Sequence, residues 1–207
     1  MTETVLLERR GAAAIVTLNR PDKLNALDGA LMLDLDRVTN EVARDEAIRA
    51  VMVRGAGRAF MAGGDVAYFN ANLDTLGARF QEMGQGFHAS IRRLRTMGKP
   101  VLACVHGAVA GGGLSVMLAC DLAIASRDAQ LSLAYANIGT SPDGGSSFTL
   151  PRIVGLRKAL ELAFLGERLD AGAALALGLV NWVVEPAELE ASALAILDRL
   201  ASGPTLA

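Results

Sequence analysis

The stretch VLACVHGAVAGGGLSVMLAC, Val101 to Cys120, carries no Asp, Glu, Lys or Arg over about the length of a bilayer-crossing helix. Its interior decides against a membrane span. Lys99 and Pro100 precede an apolar run rich in β-branched residues, His106 and a glycine-rich break interrupt it, and a second apolar run ends at Asp121. The segment therefore predicts a strand, a loop and a buried helix, and a chain built around such a unit is expected to be α/β.

The flanking sequence extends that pattern. At 207 residues the chain is long enough for one sizeable core, so a single domain over residues 1–207 is expected. TVLLERR and AAAIVTLNR around Gly11 predict a hairpin. After NRPDKLNALD, Asn19 to Asp28, Asp28 is the expected N-cap of a helix in which Leu31, Leu35, Val38 and Val42 recur at helical spacing against the sheet. AVMVRG predicts a short buried strand, with AGRAFMAGGD as the loop behind it. Val66 to Met97 reads as helix, interrupted near Asn70 to Asp74. VLACVHG, LAIAS and QLSLAY follow as extended pieces. Farther on, apolar helical turns alternate with glycine breaks up to a last strand, NWVVE. The closing PAELEASALAILDRLAS places Leu189, Ala193, Ile196 and Leu200 on one helix face.

Composition narrows the partners. With 52% hydrophobic residues, 20% charged residues and a formal net charge of -2, nothing supports disorder or a nucleic-acid footprint. Cys104 and Cys120 lie in apolar runs, as small buried hydrophobes do, which fits a reducing cytoplasm. MTETVLLERRG lacks the charged-then-apolar order of a signal peptide.

Chemistry concentrates in three loops. FMAGGDV, Phe60 to Val66, and AVAGGGL, Ala108 to Leu114, are glycine-rich, so their backbone amides can approach a ligand closely. A helix starting at Gly112 or Gly113 aims free N–H groups at an anion, and two such amides can form an oxyanion hole. The sequence contains neither a GxxxxGK[ST] phosphate loop nor a complete dinucleotide fingerprint. The third loop, AYANIGTSPDGGSS, Ala134 to Ser147, sets Asp143 between a proline and two glycines, which is common turn chemistry. His106 reads as a satisfied core histidine, and His88 as a surface or site residue on a helix. No GxSxG elbow gives Ser115, Ser141, Ser146 or Ser147 a nucleophile context, and the two histidines lack neighbours at metal-ligand spacing, so no metal is expected.

Taken in order, VTLNRPDKLNALD, GRAFMAGGDV, KPVLACVHGAVAGGGLSVMLACDLAIAS, AYANIGTSPDGGSSFTLPRIVG and AGAALALGLVNWVVE resemble the crotonase family, also called the enoyl-CoA hydratase/isomerase superfamily. The resemblance covers nearly the whole chain. It implies a crotonase-like spiral of stacked β-β-α units binding acyl-CoA thioesters, with a place in fatty acid and other lipid metabolism. Coenzyme A is then part of the substrate, and no further cofactor is expected. By motif position, the amides that receive the thioester oxygen fall on Gly64 and Gly112, and the CoA contacts on Lys23, Leu24, Ala26, Ala62, Asp65 and Val66.

The departures from the family sharpen the reading. Family hydratases use two glutamates, and the corresponding positions here hold Ser115 and Tyr135, so two-glutamate hydration lacks both acid/base groups. Isomerase members instead carry an aspartate in a PDGG-like loop, where Asp143 stands. One carboxylate beside an oxyanion hole suffices to remove a proton next to the thioester carbonyl and return it elsewhere. A second resemblance is to the 4-chlorobenzoyl-CoA dehalogenases, which pair such an aspartate with a histidine at the position of His88 for covalent catalysis. Those enzymes carry a tryptophan where Tyr135 sits and an aromatic residue where Gly64 sits. The isomerase is therefore the favoured expectation, with the dehalogenase-like hydrolase and a non-catalytic acyl-CoA binder as alternatives. Family members also continue past a segment like LASGPTLA into helices that cover the acyl pocket. This C-terminal helical trimerisation segment is largely missing from the sequence, and a homotrimer or hexamer is expected where it is present.

Overall fold

The computed structural model describes residues 3–72 and 76–204, and of residues 76 and 78–83 the backbone alone. The predicted hairpin forms from β1 (Val5–Arg10) and β2 (Ala13–Leu18), antiparallel with Val5 opposite Leu18 and Arg10 opposite Ala13. From β2 onward the main sheet is parallel: β3 (Ala50–Gly55), β4 (Val101–Val105), β6 (Leu122–Ser126) and β9 (Trp182–Val184) add one after another, in the order β1-β2-β3-β4-β6-β9. A second sheet of three short strands, β5 (Ala108–Ala110), β7 (Gln130–Ser132) and β8 (Leu169–Asp170), stands beside it.

Parallel strands need helical crossovers, and both faces of such a sheet are then covered. The alternation along β2 shows this directly. Ala14, Val16 and Leu18 point into the larger core with α1 (Gly29–Arg44) and α3 (Leu76–Thr96), whereas Ala13 and Ile15 join Met52, Leu102 and Ile124 against α8 (Leu189–Ser202). Asp28 caps α1 as predicted, its carboxylate accepting the Leu31 N–H at 2.9 Å. Leu31, Leu35, Val38 and Val42 are all fully buried, each contributing about 1.5–3 kcal/mol from burial. On α8 the buried line is Leu189, Ala193 and Leu197; Ile196 and Leu200 lie half-buried beside it, so the predicted stripe is rotated toward Leu197.

The run from Val101 to Cys120 becomes two strands and a helix. β4 ends at Val105, the chain turns at His106 and Gly107, and β5 enters the other sheet before α4 (Gly112–Ala119) begins. Gly107 has φ +54, and a Cβ there would lie 2.2 Å from the Arg58 carbonyl oxygen, so the corner requires glycine. This corner corrects the expectation for His106. The ring is half-buried at the sheet junction, and its Nε2 lies 2.8 Å from the Gly57 carbonyl. Every residue of α4 is buried, and among the described residues no helix is long and apolar enough to cross a membrane.

Between Val66 and Met97, α2 (Val66–Asn70) and α3 are separate helices; Leu73 and Asp74, part of the expected interruption, lie outside the described residues. Beyond the Asp143 loop follow α5 (Ser146–Val154), α6 (Leu156–Leu165) and α7 (Ala171–Ala176).

Candidate active site

Backbone pairing holds the two glycine loops together. Met61 donates its N–H to the Ala108 carbonyl at 3.0 Å and accepts the Ala110 N–H at 2.9 Å, while the Phe60 N–H bonds the His106 carbonyl at 2.8 Å. Gly63 and Gly111 meet back to back: a Cβ on Gly63 would approach the Ala110 carbonyl oxygen to 3.0 Å and the Gly111 Cα to 3.5 Å. One residue beyond this contact, Gly64 and Gly112 both line a cavity of about 310 Å³. Among the described residues neither of their N–H groups has an acceptor. Gly112 opens α4, so its free N–H lies at the positive end of a helix dipole.

Asp143 lines the same cavity and is the one carboxylate among its described lining residues. Its segment is also a turn. The Asp143 carbonyl accepts the Ser146 N–H at 3.0 Å and the Ser146 hydroxyl at 2.7 Å. Gly144 follows at φ +55, where a Cβ would lie 2.7 Å from Ser115 Cβ and 3.0 Å from the Phe87 ring, so both conformation and space demand glycine.

Beneath the turn, Ser115 and Tyr135, the positions at which the resemblance implies glutamates in a hydratase, form a hydroxyl pair. Ser115 Oγ and Tyr135 Oη are 2.9 Å apart, and Tyr135 donates to Asp143 Oδ1 at 2.6 Å. Ser115 Oγ also bonds the Asp143 carbonyl at 3.0 Å. Burial first, then the charge on Asp143 and its hydrogen bond, push the buried Tyr135 phenol well above its ordinary range. The phenol therefore keeps its proton and donates it to the carboxylate. Asp143 Oδ2 accepts no hydrogen bond among the described residues. Leu27, Met32, Phe69, Phe87 and Ile138 supply the cavity's apolar walls.

The residues expected at the CoA contact gather on one rim. The Ala62 N–H bonds the Leu24 carbonyl at 3.0 Å, and Leu27 bridges to Gly64. Lys23 is exposed in a 3-10 turn, Ala26 is buried, and Val66 lines the cavity. Asp65 has structural partners: one oxygen caps α2 through the Tyr68 N–H at 3.0 Å, and the other pairs with Arg20 at 3.1 Å. Arg20 also pairs with Asp28 at 2.9 Å. Two residues of this rim went unnoticed in the sequence. Arg20 is one, and the other is Asn25, fully buried, whose side-chain amide reaches the carbonyls of Ala56, Ala59 and Phe60 at 2.9, 2.8 and 3.1 Å.

His88 stands on the far side of the Asp143 loop. Its Nε2 accepts the Gly144 N–H at 3.4 Å, and the ring opens to a neighbouring cavity of about 350 Å³ with Arg92 and Phe148, away from Gly64 and Gly112. A larger cavity, about 1000 Å³, lies near the end of α8 among Lys99, Trp182 and Arg199; it contains neither glycine loop. We place the site in the smaller one because free amides and a carboxylate converge there. Among the described residues no three His, Cys, Asp or Glu side chains cluster to hold a metal. Both cysteines are free and buried, and burial pushes the Cys104 thiol up to about 12, as for inert core thiols.

A family model described as Enoyl-CoA hydratase/isomerase matches residues 8–207. The chain is 37% identical to a short-chain-enoyl-CoA hydratase of Clostridium acetobutylicum, over 98% of this chain and 77% of that one. It is 34% identical to the 1,2-epoxyphenylacetyl-CoA isomerase of Escherichia coli, over 99% and 79% of the two chains. It is also 34% identical to 4-chlorobenzoyl coenzyme A dehalogenase-1 of an Arthrobacter species, over 97% and 73%. Among solved structures, an enoyl-CoA hydratase from Mycobacterium avium subsp. paratuberculosis superposes with a TM-score of 0.90 at 33% identity, covering all of this chain and 81% of that one.

Proposed function

The chain belongs to the enoyl-CoA hydratase/isomerase family, and from that premise we propose that it is an isomerase, shifting a double bond within an acyl-CoA thioester by proton transfer through Asp143. One observation carries this reading: among the described residues a single carboxylate shares a cavity with two backbone amides that lack an acceptor, and Ser115 and Tyr135, the positions expected to hold glutamates in a hydratase, form a hydroxyl pair.

In a 3-enoyl thioester, Asp143 Oδ2 removes a proton from C2. The C–H bond breaks as the O–H bond forms, and negative charge spreads onto the thioester oxygen. Gly64 and Gly112 donate to that oxygen, and fixed donors contribute most where charge develops in the transition state. Asp143 then returns the proton at C4, leaving the double bond between C2 and C3. The proton is conserved, and no water takes part.

Hydration needs a second acid/base group to activate water. Ser115 lies buried behind the loop, and Tyr135 holds its proton tightly, which weighs against that chemistry. The hydrolytic alternative needs a histidine facing the reacting carbon, and His88 lines a different cavity. The rim from Leu24 to Ala26 and from Ala62 to Val66 is assigned to coenzyme A, with exposed Lys23 facing its phosphates. Assembly as a homotrimer or hexamer where the C-terminal helices are present, in the cytoplasm, belongs to the same proposal.

The test is solvent-deuterium incorporation into saturated, 2-enoyl, 3-enoyl and aryl-acyl CoA thioesters by wild type and Asp143→Asn. Exchange next to the carbonyl, reduced about 10³-fold or more in the variant, is the expected result. Thioester binding with no exchange in the wild type, or exchange that survives in Asp143→Asn, overturns the assignment.

A further inference from the structure

Resting on the isomerase reading, we infer that Ser115 and Tyr135 are positioning residues: a buried hydroxyl chain that fixes the carboxylate of Asp143 relative to the helix carrying the Gly112 amide. Proton accounting gives the chain its direction. The carboxylate offers no proton, so the 2.6 Å contact is Tyr135 donating to Oδ1, and the phenol oxygen is left free to accept. Ser115, 2.9 Å away, has one proton for three acceptors: the Tyr135 oxygen, the Asp143 carbonyl at 3.0 Å and the Gly111 carbonyl at 3.4 Å. The first two tie the start of α4 to the phenol and to the Asp143 turn, whereas the third stays within the first turn of the helix.

The arrangement solves a mechanical problem. Asp143 is exposed, and Gly144 and Gly145 follow it at φ +55 and +74, so little apart from hydrogen bonds sets the carboxylate's direction. Binding Oδ1 from below leaves Oδ2 for the substrate. The hydroxyls of Ser115 and Tyr135 thus direct the Asp143 carboxylate.

Few polar groups face the Asp143 loop among the described residues. Tyr135 faces Asp143 from the 3-10 turn, and His88 touches the same loop from α3 through the Gly144 N–H. Arg92 and Arg95 of α3 line the cavity on the His88 side, Arg95 also the large one near α8, and α4 contributes Ser115.

Exchange kinetics that separate kcat from KM, for wild type, Tyr135→Phe, Ser115→Ala and Asp143→Asn, test the inference. Tyr135→Phe keeps the ring and removes the hydrogen bond to Oδ1. The variant's kcat falls about 10–100-fold from lost orientation, with KM within about threefold of wild type. Ser115→Ala lowers kcat by less, with KM again within about threefold of wild type, and melting curves confirm that each variant is folded. A kcat within about threefold of wild type in both hydroxyl variants, or a loss carried by KM alone, overturns the positioning role while Asp143→Asn stays inactive. Exchange retained in Asp143→Asn overturns the isomerase reading instead, so the two failures are distinguishable.

Discussion

Replacing Gly113 by alanine sets helix propensity against packing at the point that spaces the two amides. An alanine gains at most about 1 kcal/mol over glycine in a helix interior. Its Cβ would lie 2.2 Å from the Met61 carbonyl oxygen, 2.8 Å from Met61 Cβ and 2.9 Å from the Met61 carbonyl carbon. Relieving the first contact takes an opening of about 1.2 Å, judged against ordinary contact near 3.4 Å. Met61 has nowhere to go, because its N–H and carbonyl are both bonded to the strand leading into α4. Overpacking of this kind costs about 1–3 kcal/mol, and weakening the bond between Ala110 and Met61 adds about 1 kcal/mol. Packing wins. Gly113→Ala is expected to lose about 1–3 kcal/mol net, lowering Tm by roughly 2–12 °C for a domain of this size. The displacement also separates the Gly112 and Gly64 amides, so deuterium exchange into a 3-enoyl thioester is expected to fall about 100-fold below the variant's melting range. A variant that melts at or above the wild-type temperature and exchanges at the wild-type rate would refute the argument.

The same substitution at Gly84 has the opposite sign. Gly84 lies within α3 and lines the cavity, and a Cβ there meets no described atom within 4 Å. Gly84→Ala is therefore expected to stabilise by about 0.5–1 kcal/mol, raising Tm by about 1–4 °C. Gly84→Leu should cut kcat/KM for long acyl thioesters relative to four-carbon ones, and an unchanged chain-length profile would show that Gly84 does not border the acyl group. Asn25→Ala strands the Ala56, Ala59 and Phe60 carbonyls and places alanine at φ 55. A loss of about 3–4 kcal/mol in urea unfolding is expected, and a loss below about 1 kcal/mol would mean that water replaces the amide.

What the sequence made legible was local. Asp28 could be read as a cap because an aspartate before a helical run needs only its own next turn, and the Leu31 to Val42 stripe needs only the helical period. The hairpin around Gly11 is legible on the same ground. The division of VLACVHGAVA between two sheets was not, because the Gly107 corner is forced by Arg58, distant in the chain. The α8 stripe shifted toward Leu197 because the face of β2, β3 and β4 that it covers sets its rotation. For the site, motif order located Gly64, Gly112 and Asp143, and the structure brings all three to one cavity. Sequence order could not say on which side of the Asp143 turn His88 would fall, nor that Asp65 would be committed to Arg20 and a helix cap.

The Pro-Asp-Gly-Gly turn poses the same question at the level of chemistry. A turn aspartate ordinarily bonds its own backbone a residue or two onward. Here Ser146 bonds the Asp143 carbonyl, so the turn closes without the carboxylate. The carboxylate is left for Tyr135 on one oxygen and for the cavity on the other. A purely structural aspartate at this place would have spent its side chain on the loop. Because the turn is closed by the main chain and Ser146, replacing Asp143 with asparagine is expected to leave the fold intact. The loss of exchange in that variant can then be read as loss of the base.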